Sequence, residues 1–350
     1  MAVKASATNI FPHDAADEPL LHGGDLGAAR LKFPGAPEPF IDLSTGINPS
    51  PYPVAALPDE VFARLPDAAA TTDLVAAAST YYGAPSAAHV VPAPGTQLLL
   101  PLVAGLARPG RAAVLSPTYN EHGRCASLAG HRVTETRDLA ALSDADLAIV
   151  TSPNNPDGKI IDRDVLLSLA ARLRSRGGIL VVDEAFMDVG PAGASVAADA
   201  TRNIIVLRSF GKFFGLAGLR LGFALLDPQL ASRLSALLGP WPVSGPALAI
   251  GSTALTDTLW IERTRRDLAR AAARLDAMLR RAELEVVGGT SLFRLVQMPA
   301  ADALFQHLGR DGLLVRTFPD HPTWVRFGLP ANEAAWQRLA GSLDSFRPAG

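Results

Sequence analysis

One cysteine, Cys125, stands among 350 residues. An intrachain disulfide is excluded, and this usage suits a reducing compartment such as the cytoplasm. We read Cys125 as an inert packing residue. No Cys/His group has metal-ligand spacing, so no metal centre is expected. Charge of either sign is scarce in excess: 32 Lys and Arg stand against 34 Asp and Glu, a net of −2. Without a basic run or an arginine stripe, nucleic acid is not an expected partner. No apolar run approaches the roughly 18 residues of a membrane span. The first 18 residues are mixed in type and lack the apolar heart of a secretory leader, so none is expected. No internal repeat is visible.

What is abundant is apolar residue, 48% of the chain, enough for one large domain and a smaller one. Residues 1–50 read as an arm, rich in Pro and Gly, with a short strand and turn around Asp42 to Pro49. From about residue 70 helices and strands alternate. Helices are expected over Asp73–Tyr82, Leu98–Ala107 and Asp164–Arg176. Strands are expected over Ala112–Ser116, Leu147–Thr151, Ile179–Val182 and Asn203–Leu207. The last three run straight into Ser152-Pro153-Asn154-Asn155-Pro156, Asp183-Glu184 and Arg208-Ser209. Apolar strands that end in polar residues mark a mostly parallel, doubly wound sheet, which gathers its ligand at the strands' carboxyl ends. Pro240-Trp241-Pro242 reads as a hinge. A charged helix over Asp257–Ala282 follows, then strands near 285–287 and 291–296, a helix over Ala301–Arg310, strands over Leu313–Thr317 and Trp324–Gly328, and a helix over Asn332–Phe346. The division expected is thus an arm (1–50), a large α/β domain (51–240) and a small α+β domain (241–350).

The segment Ser209-Phe210-Gly211-Lys212-Phe213-Phe214-Gly215 carries the most chemistry. A lysine in apolar surroundings has a depressed pKa, so its amine can attack an aldehyde and form a Schiff base. Ser209 and Arg220 could hold a phosphate. A seat for pyridoxal 5′-phosphate (PLP), which carries both groups, follows. Asp183 is a buried carboxylate needing a partner, either a protonated pyridine nitrogen or the start of the next helix. Asn155 is a donor to the cofactor's phenolate oxygen or a member of an ordinary Asn-Pro turn. Gly95-Thr96-Gln97 opens a helix whose free N–H groups can bind phosphate. Tyr119 either stacks on a ring or belongs to the core. Arg326, on the apolar strand Trp324–Phe327, and Arg316 after Val315 either bind substrate anions or form structural ion pairs. His22-Gly23-Gly24 in the arm could approach a ligand, although a lone histidine is usually not one.

These pieces, in this order, resemble the fold-type I PLP enzymes of the aspartate aminotransferase superfamily. The resemblance covers nearly the whole chain and rests on Ser152 to Gly158, Val182-Asp183-Glu184-Ala185-Phe186 and Lys212 to Arg220. It implies Lys212 as the Schiff-base lysine and Asp183 as the partner of the pyridine nitrogen. Asn155 falls on the phenolate oxygen, Gly95, Thr96, Gln97, Ser209 and Arg220 around the phosphate, Tyr119 on the ring, and Arg326 on the substrate's α-carboxylate. A homodimer with active sites at the subunit interface is implied as well. Two branches compete: the histidinol-phosphate aminotransferases, and the threonine-phosphate decarboxylases of cobalamin (vitamin B12) synthesis, which turn O-phospho-L-threonine into (R)-1-aminopropan-2-yl phosphate. Leu21-His22-Gly23-Gly24-Asp25 and Ile41 to Pro49 are similar to the second. Phe186 points the same way, since aminotransferases usually place tyrosine there. That branch implies substrate contacts from His22, Gly23, Asn155, Arg316 and Arg326. Gly46 departs from it, standing where an asparagine can occur. Leu65 stands where the aminotransferase branch offers a tyrosine to the neighbouring subunit.

Overall fold

Strands that read as uninterrupted apolar runs lie in the middle of a sheet covered on both faces. The computed structural model describes residues 22–347. Leu21 and the segment before it, including the first 18 residues, lie outside the described residues. Thirteen strands occur among the described residues. The first eight are β1 (Ile41–Asp42), β2 (Val90–Ala93), β3 (Arg111–Leu115), β4 (Arg132–Thr136), β5 (Leu147–Thr151), β6 (Ile179–Asp183), β7 (Ile204–Ser209) and β8 (Gly222–Leu225). The rest are β9 (Glu285–Thr290), β10 (Phe293–Gln297), β11 (Leu313–Leu314), β12 (Arg316–Thr317) and β13 (Trp324–Gly328).

The large sheet has the order β2-β8-β7-β6-β5-β3-β4. Its pairs are parallel from β4 through β7, and β8 is antiparallel to both of its neighbours. Alternate residues of one strand feed different cores. Leu147 and Ile149 of β5 pack in one cluster, while Ala148 and Val150 pack in the other. In β6, Ile179 and Val181 go one way and Leu180 and Val182 the other. A strand buried on both faces has no place for polar residues until it ends, which explains the runs. Each such Val, Leu or Ile contributes roughly 1.5–3 kcal/mol by burial. The chemistry-bearing residues therefore collect just past the carboxyl ends, where Asp183 and Ser209 sit.

Helix ends follow their caps. Asp67 accepts from the Ala70 N–H at 2.7 Å to start the helix Ala68–Tyr82, and Gly83, with φ at 71°, ends it. Asp257 caps the long helix Thr258–Arg281 through the Trp260 N–H at 3.0 Å. The second sheet, β12-β13-β10-β9, is antiparallel throughout. The stretch expected as one strand, 313–317, is divided between two partners. Leu313 and Leu314 pair in parallel with Ile41 and Asp42 of the arm, whereas Arg316 and Thr317 pair with Arg326 and Val325. Val315 between them is buried.

We keep the three-part division as a proposal. The helix Gly245–Thr256, beyond residue 240, packs against the helices of the large sheet: a Cβ on Gly251 would lie 2.7 Å from Leu221 and 2.8 Å from Leu74. By packing, that helix goes with the larger unit. No helix among the described residues is long and apolar enough to cross a membrane.

Candidate active site

Three phenylalanines set the position of Lys212. Phe210, Phe213 and Phe214 are fully buried. Phe210 stacks on Phe214 with centroids 4.3 Å apart, and Phe214 stacks on Trp260 of the long helix at 5.6 Å. With its neighbours drawn into the core, Lys212 faces the opposite side of the short turn, into a cavity of about 610 Å³. Asn48 ties the turn to the arm: its N–H donates to the Lys212 carbonyl at 2.9 Å and its Nδ2 to the Phe213 carbonyl at 2.8 Å. Lys212 Nζ lies 5.7 Å from the centroid of Phe186. Burial above all, with repulsion from Arg326 and Arg220 and against the pull of Asp183, brings its ammonium down to about 8.

Asp183 ends β6, buried against two donors. His122 Nε2 is 2.9 Å from Oδ2, and the Ala185 N–H donates to Oδ1 at 2.9 Å. His122 Nε2 also lies 3.3 Å from Thr151 Oγ1. Tyr119 stands edge-on to His122 and donates its hydroxyl to Gln97 Oε1 at 3.0 Å. Burial, with Glu121 and Asp183 nearby, pushes the Tyr119 phenol up to about 12, so it stays a neutral donor.

Beside the start of the helix Thr96–Ala104 the cavity is open where side chains are missing. Gly95, with φ at +85°, precedes the helix Thr96–Ala104. A Cβ there would lie 2.5 Å from Arg220 Nη2, so glycine alone lets the guanidinium rest beside the helix start. A Cβ on Gly222 would fall 2.6 Å from the Thr96 nitrogen. Arg220 itself holds a left-handed backbone with φ at 55°, a cost of about 1–3 kcal/mol of the kind functional sites retain. Ser209 lines the same cavity.

Arg316 and Arg326 are direct cross-strand partners, on β12 and β13. Like charges at such positions repel. Burial and Arg316 together push the Arg326 guanidinium down to about 10, and burial pushes that of Arg316 down as well. Arg326 donates Nη1 to Asn155 Oδ1 and Nη2 to the Ser44 carbonyl, the latter at 2.7 Å. The first bond commits Asn155 Oδ1 as acceptor and leaves Nδ2 as its donor group. Among the described residues, buried Arg326 Nε has no hydrogen-bond partner. The arm meets this corner closely. A Cβ on Gly23 would lie 2.7 Å from the Ser44 carbonyl oxygen, and the Gly24 N–H donates to Ser44 Oγ at 2.7 Å.

His22, Gly23, Gly95, Thr96, Gln97, Tyr119, Asn155, Asp183, Ser209, Lys212, Arg220, Arg316 and Arg326 all line this one cavity. Reasoning from sequence missed four residues. His122 sits three and four positions before buried Cys125 and Ala126, and that helical spacing could have placed it inward. Asn48 lies in a segment legible as a turn and by resemblance, but nothing in the sequence shows that it holds the Lys212 turn. Glu121 is a buried carboxylate at the start of the helix Glu121–Leu128. Arg208, buried between Glu184 and Asp188 at 2.8 Å from each, locks the end of β7 to the loop after β6. Among the described residues, no cluster of three or more His, Cys, Asp or Glu could hold a metal.

Residues 39–343 match the family model described as aminotransferase class I and II. The chain belongs to that family. It is a fold-type I PLP enzyme. It is 42% identical over 331 residues to a threonine-phosphate decarboxylase from Pseudomonas aeruginosa, covering 94% of this chain and 98% of that one. A threonine-phosphate decarboxylase from a Sinorhizobium species is 43% identical over 330 residues, with 93% and 98% covered. Among solved structures, histidinol-phosphate aminotransferase from Sinorhizobium meliloti, in complex with pyridoxal 5′-phosphate, superposes with a TM-score of 0.80 at 21% identity, over 97% of each chain. At that identity the likeness speaks for the fold. The residues present fit PLP: an amine held near 8 faces a cavity that lacks a Cβ wherever one would collide with Arg220 or the Thr96 N–H.

Proposed function

We propose that the chain decarboxylates O-phospho-L-threonine to (R)-1-aminopropan-2-yl phosphate, in cobalamin biosynthesis. The observation that carries the reading is the pairing of Arg316 and Arg326 in one cavity with Lys212, closed on a third side by His22-Gly23. Two cations side by side suit a substrate with two anionic ends. The similarity to two threonine-phosphate decarboxylases over nearly the full chain supports the same conclusion.

Each residue then has a role. Lys212 Nζ would hold the aldehyde of PLP, and Gly95, Thr96, Gln97, Ser209 and Arg220 its phosphate. Asp183, steadied by His122, would face the pyridine nitrogen, and Tyr119 would cover the ring. Asn155 Nδ2 would serve as donor to the phenolate oxygen. When bound, PLP supplies the electron sink for the bond that breaks at the substrate's Cα. Arg326 grips the α-carboxylate, and Arg316, His22 and Gly23 take the phosphate. The grip of Arg326 on the α-carboxylate would orient the substrate's Cα and so decide between loss of CO₂ and loss of a proton. Lys212 Nζ, whose pKa is lowered to about 8, is well placed to donate a proton to Cα from its ammonium form, leaving the neutral amine.

A homodimer in the cytoplasm completes the proposal. It is supported by family membership and by the single, buried cysteine. Sedimentation at micromolar concentration should give a dimer mass.

The deciding experiment supplies O-phospho-L-threonine to the PLP-loaded protein without any keto acid. Many turnovers of CO₂ and aminopropanol phosphate are expected. Turnover only with histidinol phosphate and 2-oxoglutarate would instead make the chain an aminotransferase.

A further inference from the structure

We propose that Glu121 is a positioning residue that latches the arm across the cavity and so presents His22 to the substrate's phosphate. The inference rests on the decarboxylase reading for the identity of the substrate, though not for the latch itself.

The Glu121 side chain is 6% exposed. A carboxylate taken out of water must recover its lost hydration from fixed donors. Its Oε2 accepts from Gln97 Nε2 at 2.9 Å and lies 3.4 Å from Arg124 Nη1. Its Oε1 lies 3.4 Å from His22 Nε2. Gln97 in turn accepts the Tyr119 hydroxyl, so one carboxylate joins the arm, the start of the helix Thr96–Ala104 and the ring-covering tyrosine. The pair with Arg124, three residues on along the same helix, is half-exposed on the arginine side and would not by itself repay burying the carboxylate.

A second tether of the arm lies two residues beyond His22. There the Gly24 N–H donates to Ser44 Oγ, and Ser44 Oγ donates to Asp42 Oδ1 at 2.6 Å. That tether fixes the backbone but leaves the His22 ring free to turn. The contact to Glu121 fixes the ring, which also lies 5.7 Å from the Tyr119 ring. With Nε2–H directed at Glu121, Nδ1 is the ring nitrogen left to donate to a phosphate oxygen, which it does when the imidazole carries both protons. Glu121 touches neither substrate nor cofactor in this scheme and acts through His22 and Gln97.

Two measurements on PLP-loaded protein test the proposal. In the first, kcat and KM for O-phospho-L-threonine are compared in wild type, Glu121→Gln, His22→Ala and the double variant. Glu121→Gln should raise KM about tenfold with kcat nearly unchanged, and by less than about twofold once His22 is already alanine, as coupled residues do. Equal effects in both backgrounds overturn the latch, because Glu121 would then act without His22. In the second, amide exchange of a peptide covering residues 22–30 is followed by mass spectrometry. Glu121→Gln should speed it about tenfold while β7 is unchanged. Unchanged exchange of the arm overturns the proposal, and so does faster exchange of β7 to the same degree, which would mean general loosening. If the wild type fails to turn over O-phospho-L-threonine, the functional reading fails, and the exchange result still decides for or against the latch.

Discussion

His122 Nε2 lies 2.9 Å from Asp183 Oδ2, and both side chains are buried. The two residues are far apart in sequence and meet because β6 ends beside the first turn of the helix Glu121–Leu128. The contact supplies the partner that a carboxylate at the end of an apolar strand requires. His122→Asn should therefore leave Asp183 short of a donor. Stability of the apoprotein should fall by about 1–3 kcal/mol in urea titrations. Affinity for PLP, read from its visible absorbance, should fall about tenfold, the equivalent of 1.4 kcal/mol.

The lowered pKa of Lys212 has two consequences for pH. Capture of PLP by the apoprotein, trapped with borohydride, should rise with a midpoint near pH 8 instead of the ordinary 10.5. A lysine that binds its proton less tightly when folded weakens the fold below its folded pKa. Wild-type apoprotein should thus gain stability between pH 8 and 10.5, and Lys212→Met should lack that gain. Lys212→Met should also lose the absorbance of the lysine-bound cofactor, and its turnover should fall by about 10²–10⁴-fold or more.

Gly95→Ala places a Cβ 2.5 Å from Arg220 Nη2 at a positive φ. The arginine must retreat from the helix start. PLP affinity should fall by about tenfold or more, with a stability loss of about 1–3 kcal/mol, measured by equilibrium dialysis and denaturant titration.

Gly46 is held small by two rings. A Cβ would lie 2.9 Å from Phe293 and 3.0 Å from Phe186. Gly46→Ala should cost about 1–3 kcal/mol by overpacking. Because Phe293 also lies 5.1 Å beneath the Arg326 guanidinium, KM should rise as well. Adding Phe293→Leu should restore part of the stability. An additive loss in the double variant would show that the rings do not limit this position.

The sequence made the strand-end residues legible because a strand buried on both faces announces its own end. Asp183 and Ser209 follow such runs directly, and Asn155 and Lys212 lie a few residues beyond. Arg326 was legible for the opposite reason, as a charge inside an apolar strand. His122, Glu121 and Asn48 were not, since their partners are set by tertiary contact: Asp183, the arm and the Lys212 turn. Nothing local distinguishes Glu121 from a surface residue at a helix start. The split of 313–317 between two partners was hidden for the same reason, as one extended stretch reads the same whether it serves one sheet or two.

That split stretch determines what can be exchanged between related proteins. β11 holds the arm through Ile41 and Asp42, and two residues on β12 carries Arg316 opposite Arg326. Grafting the arm alone onto another scaffold would bring His22 without the strand that sets its height above the arginines. A working chimera would have to transplant residues 22–48 and 311–328 as a single cassette.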